Sequence, residues 1–227
     1  MHQQIDKKIK ISMYILLLFL LSTINNLSLN NSENLKLQIK SIYVNGLTDE
    51  KNLQVSKDLS NLIFQNIFFI DTKYIENILE KNNLIHSFNV KKIYPNSIEI
   101  KIEKTEFLGI SFYDGEKLFI GSNAKLIKFE PTNQNLPLVH NLVYIKYFID
   151  LKKTVDESQL NFNEISEIYF FPSGRCNIKL KNKILLKLPY KNLLEALNFA
   201  FQITKDEEFK TSEVIDLRVA NHFISKK

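Results

Sequence analysis

Histidine and cysteine are the side chains of this sequence best suited to catalysis or metal binding, and their spacing favours neither. The four histidines lie far apart, at His2, His86, His140 and His222, so none forms the HExxH pattern or a similar pair of zinc ligands. The single cysteine, Cys176, has no second thiol for a CxxC pair or an internal disulfide. We interpret Cys176 as a small buried apolar residue, and His86 and His140 as surface residues or residues with ordinary hydrogen-bond partners.

Glycine-rich motifs that bind phosphate or present a nucleophile are also missing from the sequence. The chain has 5 Gly, which form no GxGxxG, GxxxxGK or GxSxG pattern. We therefore predict no cofactor, no metal, no small-molecule substrate and no enzymatic activity. A catalytic site assembled from distant residues leaves no local pattern, so a secreted enzyme stays open as an alternative.

Composition and charge predict a folded chain that does not bind nucleic acid. Of the 227 residues 44% are apolar and 24% are charged, which is enough apolar material for the cores of one or two domains. The net charge of +5 is not concentrated, because residues 37–107 contain nine lysines and nine acidic residues. Phosphate-binding surfaces usually cluster Lys and Arg on one face, and no such cluster is visible here.

The first 29 residues predict a membrane anchor. Lys7, Lys8 and Lys10 precede an uncharged run over residues 11–29, which begins ISMYILLLFLL. A spanning helix needs about 20 apolar residues, whereas the strongly apolar part here is shorter and would also suit a signal peptide. No small-x-small cleavage site follows it, so we favour an uncleaved single-pass anchor with residues 1–10 as a cytoplasmic tail.

A polar linker over residues 30–36 leads to a regular series of elements in residues 37–107. LQIKSIYVNG predicts a strand that ends in an Asn-Gly turn, and two amphipathic helices follow it. After a Pro-Asn turn, strict alternation places Ile98, Ile100 and Ile102 on the core face of a strand. The predicted order is strand, helix, helix, strand, strand.

Residues 108–227 predict a larger, mainly antiparallel β domain with flanking helices. ISFYDGEKLFIG is typical of a hairpin with an Asp-Gly turn. Short strands are predicted at AKLIKF, LPLVHN, EISEIYFF, CNIKLK and ILLKLP, and helices near residues 144–157 and 190–204. SEVIDLRV is expected to be the last strand.

These patterns resemble a known family. IKSIYVNGLT and NLIHSFNVKKIYPNSIEIKIEKTEFLG resemble the opening strand and the closing strand pair of a POTRA domain, which has the order βααββ. LPLVHN, GRCNIKLKNKILLKLP, LLEAL and EVIDLRV, in this order, resemble the second domain of the FtsQ/DivIB family of bacterial cell division proteins. The resemblance implies an α+β fold with an N-terminal transmembrane helix (11–29), a POTRA domain (37–107) and an FtsQ-type β domain (108–227).

The resemblance implies a non-catalytic scaffold of the divisome that links early and late division proteins and helps control septal peptidoglycan synthesis. The implied partners are FtsB-like and FtsL-like proteins, with FtsK or FtsW as further candidates. The implied location is the cell inner membrane at the division septum, as a single-pass type II protein whose carboxy-terminal region is periplasmic. A POTRA-containing assembly or secretion factor of the cell envelope is the alternative.

The resemblance also implies where a partner binds. In this family the FtsB contact is made largely by strand addition at the edge of the last strand. That edge carries over to Arg218, Val219, Ala220, Asn221, His222 and Phe223, and Arg175 falls near a basic residue on a neighbouring strand.

Some residues depart from the family pattern or have a second explanation. Cys176 and Val219 stand where relatives often have an aromatic residue. A solvated strand face explains Asp216 and Arg218 as well as a partner contact does.

Overall fold

A computed structural model describes residues 7–23, 37–128, 134–209, 212–219 and 222–226. It divides the chain into two compact units, the first containing residues 1–45, 49–75 and 90–100 and the second containing residues 46–48, 76–89 and 101–227. Its α-helices are α1 (Lys7–Thr23), α2 (Asp49–Asp58), α3 (Thr72–Lys81), α4 (Ile145–Glu157) and α5 (Leu193–Lys205). Single 3-10 turns lie at Ser60–Leu62, Ile67–Phe69, Phe162–Glu164 and Glu207–Phe209.

Helix α1 occupies part of the predicted membrane anchor. It has 17 residues, which at about 1.5 Å per residue span about 26 Å and include three lysines. A bilayer core is about 30 Å thick. None of the helices in the described residues combines the length and the apolar character that crossing a bilayer requires. The predicted transmembrane helix over residues 11–29 is therefore not confirmed, and residues 24–29 lie outside the described part of the chain.

A three-stranded sheet and two helices follow in the predicted order. The strands are β1 (Ser41–Asn45), β2 (Ile85–Ile93) and β3 (Ser97–Lys104), and their order in the sheet is β1-β3-β2. The predicted alternation in β3 is confirmed, because all three of its isoleucines are buried. Asp71 caps the start of α3, since its Oδ1 accepts a hydrogen bond from the Lys73 N–H at 3.0 Å.

Gly46 ends β1 with a backbone conformation that a side chain would not tolerate. Its φ is +118°, in the region that favours glycine. A Cβ atom at this position would lie 1.7 Å from the carbonyl oxygen of Ile102. The Asn-Gly turn predicted from the sequence is therefore also a point of close backbone approach.

A nine-stranded sheet forms the larger part of the fold. Its strands are β4 (Phe107–Tyr113), β5 (Glu116–Gly121), β6 (Leu126–Lys128), β7 (Leu138–His140), β8 (Ile165–Phe170), β9 (Cys176–Leu180), β10 (Leu185–Lys187), β11 (Val214–Asp216) and β12 (Ile224–Lys226). Their order is β12-β11-β10-β9-β8-β7-β4-β5-β6. Five of the eight strand pairs are antiparallel, and β4–β7, β7–β8 and β10–β11 are parallel. The predicted mixed α+β fold with a mainly antiparallel second sheet is confirmed.

Helices α4 and α5 complete the core of this sheet. Phe148 and Leu151 from α4 and Leu197 from α5 are buried in one apolar cluster with strand residues such as Ile178 and Ile215. This arrangement follows from the helical spacing of the apolar residues, which gives each helix one face to bury. The two predicted helices are confirmed to within a few residues at each end.

A polar cluster centred on Glu167 links strands β7, β8 and β9. Its carboxylate accepts hydrogen bonds from Lys179 Nζ at 2.8 Å and from the Tyr169 hydroxyl, and His140 Nε2 lies 3.2 Å away. The His140 ring also stacks on Tyr169 with centroids 4.5 Å apart. The hydrogen bonds from Lys179 and Tyr169 lower the pKa of Glu167 from 4.5 to about 2. His140 thus has ordinary hydrogen-bonding and stacking partners, as predicted from the sequence.

Gly46→Ala tests the close approach at the end of β1. We expect it to lower the free energy of unfolding by more than about 2 kcal/mol, because the new Cβ must displace backbone and not a movable side chain. Gly115→Ala is the matched control: Gly115 also has a positive φ, +80°, but nothing lies within 4 Å of its Cβ position. Chemical denaturation of both variants measures the difference, and equal losses would contradict the steric explanation.

The Glu167 cluster predicts a pH-dependent contribution to stability. Since the folded-state pKa lies below the unfolded one, the ionised carboxylate stabilises the fold above about pH 4.5, and that contribution is lost as the pH falls towards 2. Glu167→Gln should therefore destabilise the protein at pH 7 and differ progressively less from the wild type between pH 4.5 and pH 2. Urea unfolding at several pH values measures this, with the exposed Glu116→Gln as control. A constant difference across that range would refute the linkage.

Candidate partner-binding edge and groove

Six of the seven predicted contact residues, residues 218–223, fall between β11 and β12, and the seventh, Arg175, directly precedes β9. Arg218 and Val219 follow β11, and His222 and Phe223 precede β12. Ala220 and Asn221 lie outside the described residues. None of the four described residues belongs to a strand.

The described residues of the segment 218–223 do not form the free edge of the sheet, contrary to the expectation. Strand β11 is flanked on both sides, by β10 in parallel and by β12 in antiparallel pairing. The chain reverses after β11, where the N–H of His222 donates to the carbonyl oxygen of Val219 at 3.2 Å. The outermost strand at this end of the sheet is β12, which begins at Ile224, directly after the predicted segment.

Phe223 stabilises this reversal of the chain by packing against the apolar core. Its ring makes edge-to-face contacts with Phe199 of α5, with centroids 5.8 Å apart, and with Phe209, at 5.1 Å. Because these contacts pack Phe223 against the apolar core, it holds β12 in register and is only partly exposed. The structure therefore gives Phe223 a packing role, and the partner contact that the resemblance implied for it stays a prediction.

Strand β12 presents an edge at which an extended segment could be added. All three of its residues are exposed, and Ile224 is 69% exposed. Within the described part of the chain, β11 is the one strand that pairs with it. An outer strand of this kind offers backbone N–H and C=O groups to an incoming segment.

A groove of about 710 Å³ brings together four of the predicted residues. Arg175, Arg218, Val219 and His222 all line it, although Arg175 is separated from the others by more than 40 positions in sequence. Pro189 to Asn192 and the first turns of α5 supply the rest of its walls, including Glu195 and Phe199.

Tyr190 gives this groove an aromatic wall. Its side chain is 68% exposed, and its ring lies so close to Gly174 that a Cβ there would be 2.6 Å from the Tyr190 Cε2. Gly174 has a φ of +78°, so both its conformation and the neighbouring ring require glycine. The turn before β9 thus sets the position of the aromatic wall.

Arg218 is paired with Asp216 across the end of β11. Its Nε lies 2.8 Å from Asp216 Oδ1, and its Nη2 bonds to Oδ2, in the bidentate geometry that suits arginine and carboxylate. The hydrogen bond from Arg218 lowers the pKa of Asp216, which stays ionised. The Asp216 carboxylate is 16% exposed and the Arg218 side chain 42%, so this pair fixes the direction of the guanidinium. This ion pair accounts for the presence of both charged residues without a contact to a partner protein.

Arg175 has fewer internal side-chain partners than Arg218. Its Nε donates to Ser173 Oγ at 3.0 Å, which is the one side-chain hydrogen bond described for it. It also lines, with Arg218, a neighbouring cavity of about 210 Å³. Arg218 is already paired with Asp216, so Arg175 and Lys191 against the carboxylate of Glu195 leave a net charge of +1 in the groove, which favours an acidic ligand.

No arrangement in the described residues suggests catalysis or metal binding. Cys176 is a free, buried thiol, as predicted, and its burial raises its pKa to about 12, so it is not a nucleophile near neutral pH. Groups of three or more potential metal ligands are absent from the part of the chain that the structure describes.

Sequence reasoning missed β12, Tyr190 and Phe199. The isolated pattern FIS in the tail gave too short a signal for a strand, since three residues carry almost no periodicity. Tyr190 follows a Pro at the end of a predicted strand and would have stood out only as an aromatic residue in a turn.

Comparisons with known proteins agree with this two-part architecture. Residues 37–104 match the family described as "POTRA domain, FtsQ-type", and residues 113–218 match "Cell division protein FtsQ/DivIB, C-terminal". The two matches define a POTRA-containing protein of bacterial cell division. The chain belongs to the FtsQ/DivIB family.

Two curated relatives give the same family. "Cell division protein DivIB" of Macrococcus caseolyticus is 26% identical over 202 residues, which cover 82% of this chain and 67% of the relative. "Cell division protein FtsQ" of Rickettsia conorii is 24% identical over 168 residues, which cover 71% of this chain and 61% of the relative. The chain thus spans about two thirds of the length of these proteins.

A solved structure is also similar. It is the major extracytoplasmic domain of the cell division protein DivIB from Geobacillus stearothermophilus, with 13% identity and a TM-score of 0.36, covering 45% of this chain and 92% of that chain. At this TM-score the likeness carries no argument about fold or function.

Proposed function

We propose that this protein is a non-catalytic divisome scaffold that binds its partners by strand addition at β12, together with the neighbouring groove. The observation that carries the proposal is the exposed outer strand β12, preceded in the chain by residues that line a cationic and aromatic groove, in a member of a division family. Its partners are FtsB-like and FtsL-like proteins, with FtsK or FtsW as further candidates. Through them the protein links early and late division proteins and influences septal peptidoglycan synthesis by binding alone.

The groove is needed because β12 is too short to hold a partner alone. Three residues can offer two or three backbone hydrogen bonds, each worth about 0.5–1.5 kcal/mol net. Their sum of at most about 4.5 kcal/mol corresponds to a Kd near the millimolar range. Useful affinity therefore requires side chains that enter the groove beside β12.

The groove sets the chemistry of that second contact. Arg175 and Lys191 favour a carboxylate, and Tyr190 and Phe199 offer aromatic surface to an apolar residue. The preferred partner segment therefore has a short extended stretch next to a section that contains an acidic and an apolar side chain.

The protein acts at the cell inner membrane of the division septum. Helix α1 supports this location, because all eight large apolar side chains between Ile11 and Phe19 are exposed and its first turn carries lysines. Exposed apolar surface of this extent is stabilised by contact with lipid. We place both folded units on the periplasmic side, as the positive charge before α1 favours.

Proline substitution in β12 tests strand addition. Neighbouring residues of a strand direct their N–H groups to opposite sides, so of Ile224→Pro and Ser225→Pro one removes a donor to the partner and the other a donor to β11. We expect one variant to keep the wild-type Tm and to lose co-purification of FtsB-like and FtsL-like proteins from cells, and its fluorescent fusion to lose its midcell position.

The control for this experiment is Lys128→Pro in β6, the outer strand at the opposite end of the sheet. It should leave partner capture unchanged. If both β12 variants fold and capture partners as the wild type does, partners do not bind at β12.

Arg175→Glu tests the groove separately from the strand. We expect partner affinity to fall about 10-fold or more, since a hydrogen bond to a charged group contributes about 1.5–3 kcal/mol and the substitution also reverses the charge. Calorimetric titration with an FtsB-like protein at low and high salt measures the affinity. The affinity of the variant should depend on salt much less than that of the wild type. Lys181→Glu, an exposed charge reversal outside the groove, is the control. Equal losses of partner affinity in the two variants would show that binding depends on the net charge of the protein and not on the position of Arg175.

A further inference from the structure

The first unit exposes a patch of aromatic side chains that its core does not use. Phe64 is 73% exposed and Phe69 is 86% exposed. Phe68 stacks on Tyr94 with ring centroids 5.1 Å apart, and both are more than half exposed. We call Phe64, Phe68, Phe69 and Tyr94 the aromatic patch. Exposed aromatic groups of this density usually mark a surface that contacts protein or lipid.

The aromatic patch lies where the chain coming from α1 joins the folded unit. The N–H of Phe64 donates to the carbonyl oxygen of Ile39 at 2.9 Å, and the N–H of Ile67 donates to that of Leu37 at 3.0 Å. Gln38 and Asn66 form an isolated antiparallel bridge between these two pairs. Residues 64–69 are therefore tied by backbone hydrogen bonds to the first described residues after α1.

The length of chain between α1 and this point limits how far the patch can be from α1. From Thr23 to Leu37 the chain advances 14 residues, which can span at most about 50 Å even when fully extended. If α1 is held by lipid, the aromatic patch must therefore stay within about 50 Å of the bilayer. Such tethering raises the effective concentration of bilayer surface around the patch.

The charge around the patch suits an anionic surface. The sequence segments 37–45, 61–74 and 90–96 contain four lysines and one acidic residue, Asp71, a net charge of +3, whereas residues 37–45, 49–75 and 90–100 of the first unit together carry six lysines and five acidic residues, a net charge of +1. The Asp71 carboxylate is already engaged as the cap of α3. Aromatic rings with lysines beside them are the side chains that proteins place at the headgroup level of a bilayer.

We propose that the aromatic patch seats on the surface of the bilayer, with Phe64 and Phe69 inserted among anionic phospholipids. This inference rests on the proposed attachment of α1 and extends it, because a second weak contact makes membrane binding stable and orients the first unit on the lipid. Shallow insertion of about 5–10 Å suffices for rings that are already exposed.

The experiment uses the absence of tryptophan from this chain. Phe69→Trp makes the only tryptophan in the full-length protein, and its emission reports on its surroundings. After reconstitution into vesicles that contain phosphatidylglycerol, we expect a blue shift and loss of most of the emission when the acyl chains are brominated. Phe64→Trp is a second reporter, and Tyr113→Trp, an exposed aromatic position in the second unit, is the matched control.

A third reporter, Leu17→Trp in α1, separates this inference from the proposed attachment. Quenching at positions 69 and 64 but not at 113 supports the seating of the patch, whether or not position 17 is quenched. Quenching at position 17 without quenching at 69 and 64 overturns the inference and leaves the attachment of α1 standing. No quenching at any position overturns both. A blue shift at position 69 that requires an added partner protein and not lipid also overturns it, because the patch then binds protein.

Discussion

The contact on which the candidate site depends is the packing of Phe223 between Phe199 and Phe209. This apolar anchor lies after the chain has left β11, and it brings the following residues back along that strand. Without it, three exposed residues would have too little pairing to stay in the sheet. The same Phe199 contributes to the groove, so the anchor couples the position of β12 to the shape of the binding surface beside it.

The two arginines of the candidate site have different physical roles, although the same family resemblance implied both as contact residues. Arg218 is held by the carboxylate of Asp216 at the end of β11, and that pair determines its orientation before any partner arrives. Arg175 is held only through Ser173 and keeps more of its hydrogen-bonding capacity for a ligand. Such a pair combines one arginine of fixed orientation with one that can adapt. This combination contributes more to selectivity for the position of an acidic group on the partner than to the affinity for that partner.

Much of the fold could be predicted from local patterns, because those patterns report burial directly. Alternation identified β3, helical spacing identified α4 and α5, and the Asn-Gly pair identified the turn after β1. The site was less predictable. The resemblance implied a free edge at residues 218–223, whereas the sheet has one more strand than predicted, and its outer strand is Ile224–Lys226. Long-range packing of Phe223, and the meeting of Tyr190 with a turn 16 positions earlier, leave no local signal.

The brevity of β12 has a consequence for the behaviour of many copies in one place. A long, flat, apolar outer strand would let identical molecules join edge to edge wherever they are concentrated. A template of three residues that ends in Lys226 gives a second copy too few hydrogen bonds and a repelling charge of the same sign. Crowding of many copies therefore need not lead to polymerisation through β12, and under the proposed function the edge stays open to a partner segment that also fits the groove.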